Sequence, residues 1–296
     1  MAIKIMAIKT AHKRRSLPQS PGRRRFLKIS AVAAVTGLGT SGYAYEIEPA
    51  YPKVTKHDIK IDGWPQSAAG LKIGQLSDLH CQDDRSVART AHAAQMLLAL
   101  APDIVLLTGD YISNGQGIDW AGASANALAP LKAVPRGVFA ILGNHDYAAG
   151  RSAEVAAALE AAGFHVLRNR AAPLPGAESV WLVGMESRCL SAENPVQALA
   201  GVPADAVKIL LVHEPDYADE APLGFALQLS GHSHAGQIRI PGLPPLHCPE
   251  YGQKYPEGLQ QAQNHRVYTS RGVGMMGPQM RFCCPPEVTL LTIYPA

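Results

Sequence analysis

The stretch GVFAILGNHD (137–146) holds most of what decides this fold. An apolar run of strand length is cut by a glycine and followed at once by a carboxamide, an imidazole and a carboxylate. Four other segments end in the same way: LKIGQLSDLH (71–80), DIVLLTGD (103–110), KILLVHEP (208–215) and FALQLSGHSH (225–234). In each, a short Val-, Ile- or Leu-rich run reads as a buried strand, with side chains able to bind metal in the first positions beyond it. Ligands collect at the carboxyl ends of strands in α/β sheets, so the five loops are expected to converge on one cleft. That cleft would gather Asp78, His80, Asp110, Asn144, His213, His232 and His234. One such strand end would be weak evidence; five together are specific.

Around these segments, apolar runs alternate with Ala-rich stretches of helical length, which is the pattern of an α/β domain. Further strands are expected at 180–183 and 288–293, and helices at 86–100, 121–131, 152–162 and 195–199. The Pro- and Gly-dense stretch 241–258 reads as a long irregular connection. No internal repeat or low-complexity tract follows the first 45 residues. With 296 residues, 47% of them hydrophobic, the chain can bury a substantial core.

The formal charge of +3 divides unevenly along the chain. Nine of the 27 Lys and Arg residues precede Glu46, the first acid, which leaves 18 basic against 24 acidic residues beyond it, a net −6. A body of that sign offers no clustered positive charge for a phosphate backbone, and nucleic-acid binding is set aside. The basic residues belong to a leader, residues 1–45, distinct from the body, 46–296. Within it GRRRFLK (22–28) resembles the twin-arginine export motif, so the export machinery is an expected partner and the periplasm or a membrane surface the expected location. Residues 29–44 are apolar but short for a membrane span. Gly42-Tyr43-Ala44 offers a small-x-small cleavage site, and an uncleaved leader would act as an anchor.

The five cysteines form no C-x-x-C pair, and no disulfide framework is expected. Imidazole nitrogen with carboxylate or amide oxygen suits borderline cations, manganese, iron, zinc or cobalt among them. Two such cations roughly 3.5–4 Å apart need an anionic bridge, and Asp110 is the candidate. The six histidines outside these segments, His12, His57, His92, His165, His247 and His265, are expected on the surface or in packing. For Arg271 and Arg281 a structural role is favoured over a phosphate-facing one, and Gly272, Gly274 and Gly277 read as turn residues.

As an ordered set, D-x-H (78–80), G-D (109–110), G-N-H-D (143–146), H (213) and G-H-x-H (231–234) resemble the calcineurin-like metallophosphoesterases. Segments 236–242, 268–276 and 281–291 further resemble an exported or membrane-associated bacterial subgroup, some of whose members cleave UDP-2,3-diacylglucosamine. The resemblance implies a four-layer α/β/β/α sandwich with a dinuclear metal site at the strand ends. It places Asp78, His80 and His234 on one metal, Asn144, His213 and His232 on the other, and Asp110 between them. It implies that His145 is no ligand but sits over the substrate, with Asp146 orienting it by accepting its second ring proton. The implied activity is hydrolysis of a phosphoester by a metal-bridging hydroxide, with two divalent ions, manganese, zinc or iron, as cofactors. A phosphodiester or pyrophosphate of a lipid or envelope component is the expected substrate. A phosphomonoesterase, a non-catalytic metal-binding scaffold and a two-metal amidase are the alternatives. Complete retention of the ligands argues against the scaffold, and the G-N-H-D run points to phosphorus rather than an amide.

Overall fold

Each apolar run expected to be a strand is one, and cover on both faces of the sheet explains why. In the computed structural model, which describes residues 26, 39–113, 119–190 and 192–296, the strands lie in two six-stranded sheets. The first has the order β1-β12-β2-β3-β4-β5, with β1 Lys53–Ile61, β2 Leu71–Leu76, β3 Ile104–Thr108, β4 Val138–Ile141, β5 His165–Val166 and β12 Glu287–Pro295. The second has the order β10-β11-β9-β8-β7-β6, with β6 Arg170–Leu174, β7 Ala177–Gly184, β8 Val207–Leu211, β9 Phe225–Ser230, β10 Gly258–Gln261 and β11 Arg266–Thr269. In β3, Ile104 and Leu106 face the second sheet, while Val105 and Leu107 face outward onto helices. The inner layer is completed by Ile73, Phe139, Ile141, Leu182, Ile209, Leu211, Leu227 and Leu229. At about 1.5–3 kcal/mol for each large apolar side chain buried, this seam and the layer between the first sheet and its helices are the main cohesive elements of the fold.

The outer face of the first sheet is covered by α1 (Asp84–Ala99), α2 (Trp120–Leu128) and α4 (Ser152–Ala161), and the short α3 (Asn144–Ala148) lies between the last two. Helix α1 starts where Asp83 accepts the Ser86 N–H at 2.7 Å, and it buries Thr90, Ala93, Ala94 and Leu97 along one face. The fourth layer is thin: α5 (Pro195–Ala198) and the 3₁₀ turn Pro215–Asp219 cover Val183, Leu210 and Val212 of the second sheet. The architecture is the expected α/β/β/α sandwich with one light outer layer.

Strands β2, β3 and β4 run parallel, as do β7, β8 and β9, so their carboxyl ends gather at one edge of the sandwich. Several elements went unanticipated. β1 buries only Ile59 and Ile61 of its nine residues, since as an edge strand it keeps its Lys-rich remainder in solvent. β5 is only two residues long, β6 and β10 carry few fully buried positions, and β11, buried at Val267, Tyr268 and Thr269, spans only four residues.

The compact unit of the body begins at Tyr43, three residues before the expected boundary. Ala44 is buried and its carbonyl accepts the Arg281 N–H at 2.9 Å, while the buried Glu48 carboxylate accepts the N–H groups of Cys283 and Cys284. The twin-arginine run and most of the apolar leader lie outside the described residues.

Candidate metal centre

Beyond β2, β3 and β9 the chain turns sharply, and it does so through the functional residues themselves. Asp78, His80, Asp110, His232 and His234 all have left-handed backbone, with φ between 49° and 70°. Such a conformation costs a non-glycine residue about 1–3 kcal/mol and persists where the surroundings over-determine it. Neighbouring glycines make room for these turns. A Cβ on Gly143 would lie 2.1 Å from Asp110 Oδ1, and one on Gly231 would lie 2.3 Å from Asp78 Oδ2. These two motif glycines are required by close approach.

The structure brings all seven expected ligands to one place. His80 Nε2 lies 3.1 Å from His234 Nε2 and 3.5 Å from Asp110 Oδ2, and His234 Nε2 is 3.4 Å from Asp78 Oδ1. From the second sheet, His213 Nε2 approaches Asp110 Oδ2 to 3.1 Å and Asp78 Oδ1 to 3.8 Å. His232 Nδ1 is 2.9 Å from Asn144 Oδ1. Both Asp110 and Asp78 therefore face imidazoles assigned to different metals; Asp110 Oδ2 is the closer of the two to His213, and toward the other pair the two carboxylates approach His80 and His234 to nearly equal distances.

Hydrogen bonds on the far side of each ring fix which nitrogen faces the centre. A carbonyl only accepts, so Thr108 O at 2.6 Å makes His213 Nδ1 the donor and leaves the Nε2 lone pair aimed at two carboxylates. Glu250 O, 2.8 Å from His232 Nε2, likewise leaves the Nδ1 lone pair facing the Asn144 carbonyl oxygen. Acceptor set against acceptor is a repulsive arrangement that a cation resolves. Among the described residues, no Lys or Arg forms an ion pair with Asp78 or Asp110, although both carboxylates are buried. His213 Nε2 and His80 Nδ1 are buried without an aligned hydrogen-bond partner. The donor set of nitrogen and carboxylate oxygen thus fits divalent cations.

The electrostatics agree with the geometry. Burial lowers His80 to about 3, so it is a neutral donor, and burial followed by the charge of Arg281 pushes His234 well below its ordinary range. His213 goes the other way: burial opposes its charge, but Asp110 overcomes that and holds it well above the usual imidazole range. Without a cation, a proton would stand in one's place on His213.

Asp146 does not orient His145 as expected. Its buried carboxylate accepts backbone N–H groups from Gly143 (2.9 Å), Asp110 (3.1 Å), Tyr111 (3.0 Å) and Ile112 (3.2 Å). It fastens the G-D loop to the G-N-H-D loop and sets Asp110 rather than His145. Burial and then the Asp110 charge raise it to about 7, against the amides it accepts. His145 is half-buried; its N–H donates to Asp110 Oδ1 at 2.8 Å, and its ring meets His80 edge-on at 5.0 Å between centroids.

Three further residues shape the site without having been anticipated there. Glu214, buried directly after His213, accepts the Ser187 hydroxyl and the N–H groups of Arg188 (3.0 Å) and Cys189 (3.3 Å). This holds Cys189 Sγ 3.9 Å from His232 Nε2. An acid next to a ligand histidine at a strand end was the signal available for it. Arg281 is fully buried and donates to the carbonyls of Arg271, Gly272, Gly274 and Cys284. It braces a segment whose Val273 and Gly274 N–H groups bond Ser77 O and Asp78 O. Gly272 and Gly274 are therefore packing residues under the D-x-H turn, with Arg271 paired to Glu287 at 3.1 Å. The five cysteines are free, and Cys81 points to Thr90 as expected of a thiol outside the site.

The site opens into a cleft of about 520 Å³. Asp110, Asn144, His145, His232 and His234 form one wall, and Ile238, Leu246, Pro249, Met276 and Pro278 form another. His247 stands on this cleft.

Residues 71–236 match the family described as calcineurin-like phosphoesterase. Over 92% of its length the chain is 34% identical to the metallophosphoesterase YkuE of Bacillus subtilis, covering 97% of that protein. It is 31% identical to the phosphodiesterase YaeI of Escherichia coli, over 92% of this chain and 98% of that one. Against UDP-2,3-diacylglucosamine pyrophosphatase LpxG of Chlamydia trachomatis the identity is 25%, over 90% of this chain and 98% of the other. With its candidate ligands gathered from five strand ends and this extent of similarity, the chain belongs to the calcineurin-like metallophosphoesterases, hydrolases of phosphoester bonds that work with divalent metal.

Proposed function

We propose that the chain hydrolyses a phosphodiester or pyrophosphate of a lipid or envelope component, using two divalent cations, manganese, zinc or iron. Asp78, His80 and His234 would hold one, Asn144, His213 and His232 the other, with Asp110 shared. Bound there, the cations supply Lewis-acid charge and an ionised water near neutral pH. The remaining work falls to the protein: Asp146 fixes Asp110, Thr108 and Glu250 fix the two ring orientations, and His145 places an imidazole over the substrate.

The carrying observation is the make-up of the cleft. Its lining combines the ligand cluster with an apolar wall and, among the described residues, contains no Lys or Arg. The second charge of a monoester would find no cationic side chain there, whereas a singly charged diester bearing an apolar group matches both walls. The names of YaeI, a phosphodiesterase, and LpxG, a pyrophosphatase of a lipid-linked nucleotide, are consistent with that class. Comparing kcat/KM for a monoester and a diester of the same leaving group, with manganese or zinc supplied, is expected to favour the diester. A tenfold or greater preference for the monoester would overturn the reading.

The proposed location is outside the cytoplasm, reached by the twin-arginine route, which carries folded proteins and would let the metals load first. Support comes from GRRRFLK (22–28) and the apolar stretch behind it. Arg23→Lys combined with Arg24→Lys is expected to leave the protein in the cytoplasmic fraction. Both must change, because Arg25 would re-form a pair with Arg24. Export of the double variant at the normal level would refute the route.

A further inference from the structure

The apolar wall of the cleft does not stop at its mouth. Beyond Ile238 the chain runs through IPGLPPLHCP (240–249), ten residues with four prolines and no charged side chain. All residues from Ile240 to Pro244 are exposed, so this loop projects from the body, and Leu246 carries the apolar surface back into the cleft. A second exposed apolar group, Tyr43, Tyr45 and Ile47, stands on the first turn of the body. Across both groups, the exposure of Ile240, Leu243, Leu246 and the three N-terminal side chains runs from 42% (Tyr43) to 63% (Leu246).

These groups are structural neighbours. Arg281 N–H bonds Ala44 O at 2.9 Å, and the adjacent Phe282 N–H bonds Gln237 O at 3.1 Å, with Phe282 O accepting from Arg239. The segment beginning at Arg281 is thus flanked by the N-terminal turn on one side and the root of the proline loop on the other. A single backbone segment, Arg281 and Phe282, therefore touches both. The apolar stretch 29–44 of the leader ends on this same surface, at Tyr43 and the buried Ala44.

We propose that this rim docks the mouth of the cleft onto a lipid bilayer, with Ile240 and Leu243 entering the acyl boundary and Tyr43 and Tyr45 at the headgroup level. Protruding aliphatic tips suit a fluid surface, whereas a peptide partner would call for a groove. Tyrosine, with an apolar ring and a polar tip, is the residue that bilayer interfaces select. The proline loop holds its tips outward at little entropic cost. Retained uncleaved as an anchor, the apolar stretch 29–44 would bring a membrane to the patch at its end. Docked this way, the centre would receive a phosphoester at headgroup depth, its apolar portion running along Ile238, Leu246 and Met276. That consequence rests on the proposed diesterase reading; the docking does not.

The test uses the full-length, metal-loaded protein with its leader and vesicles of phosphatidylethanolamine and phosphatidylglycerol, with or without brominated acyl chains. In Leu243→Trp the added indole reports on the loop itself whatever the leader does, with the unsubstituted protein and its own tryptophans as the blank. Docking is expected to shift the added emission to the blue on mixing and to remove roughly half of it with brominated lipid. No shift would overturn the proposal, and so would blue emission before vesicles are added, which would mean that the leader or a second copy covers the loop. Ile240→Asp with Leu243→Asp is expected to lower kcat/KM on a vesicle-embedded phosphodiester on the order of tenfold and to leave a soluble chromogenic diester unaffected. Equal turnover of both substrates by this variant would also overturn it. An unsubstituted protein inactive on both diesters would sink the diesterase reading, and the fluorescence would then decide docking alone.

Discussion

Replacement of Asp110 by asparagine is expected to strip metal from the protein and reduce turnover by at least on the order of 10³-fold, beyond the loss from any single ligand histidine. The two oxygens of this carboxylate are committed differently. Oδ2 faces His80 Nε2 at 3.5 Å and His213 Nε2 at 3.1 Å, whereas Oδ1 accepts the His145 N–H at 2.8 Å. An asparagine can serve only one of these demands. With its amide nitrogen at Oδ2, the shared position loses its anion and gains a donor where cations belong. With the nitrogen at Oδ1, two N–H donors oppose each other at the start of α3. Neither orientation restores the negative charge that offsets repulsion between two dications. Metal content by elemental analysis, measured beside steady-state hydrolysis, decides the matter. A variant holding both metals at normal activity would show that Asp110 does not bridge.

Substitution of His145 by alanine is expected to have the opposite signature: metal retained, hydrolysis slowed on the order of 10²- to 10⁴-fold. The contact of this residue with the ligand cluster is its backbone N–H to Asp110, which alanine keeps. Its ring lines the cleft and meets His80 only edge to face. A proton donor to the departing oxygen matters less as that oxygen becomes a better leaving group, so the defect should shrink across a series of increasingly acidic phenols. Loss of metal would instead make His145 a ligand, and an unchanged rate across the series would remove it from the reaction. Asp146→Asn is a useful contrast. In this structure Asp146 holds the loop that carries Asp110 and makes no proton contact with His145, so its defect should follow metal content rather than leaving-group acidity.

The amino-acid sequence by itself determined the seven candidate ligands, the strands that carry them and the α/β class, while the layering came from the family resemblance. Those features are local. A run such as IVLLT (104–108), buried on both faces, can only be an inner strand, and a Gly-Asp directly after it can only lie at that strand's carboxyl end. What the sequence could not convey depends on contacts between distant segments. β1 carried no apolar run to announce it, because an edge strand pairs through its backbone, whatever its side chains are. Asp146 looked like a partner for the neighbouring imidazole, but the amides it accepts lie 34 to 36 residues upstream, apart from that of Gly143. The nitrogen that His213 presents to the centre is set by a carbonyl 105 residues away, at Thr108. Arg281 is spent on main-chain oxygens, which any sequence supplies and none advertises. Side-chain chemistry at the ends of apolar runs is written in residue order; backbone hydrogen bonds across the seam of two sheets come into being only when the sheets meet.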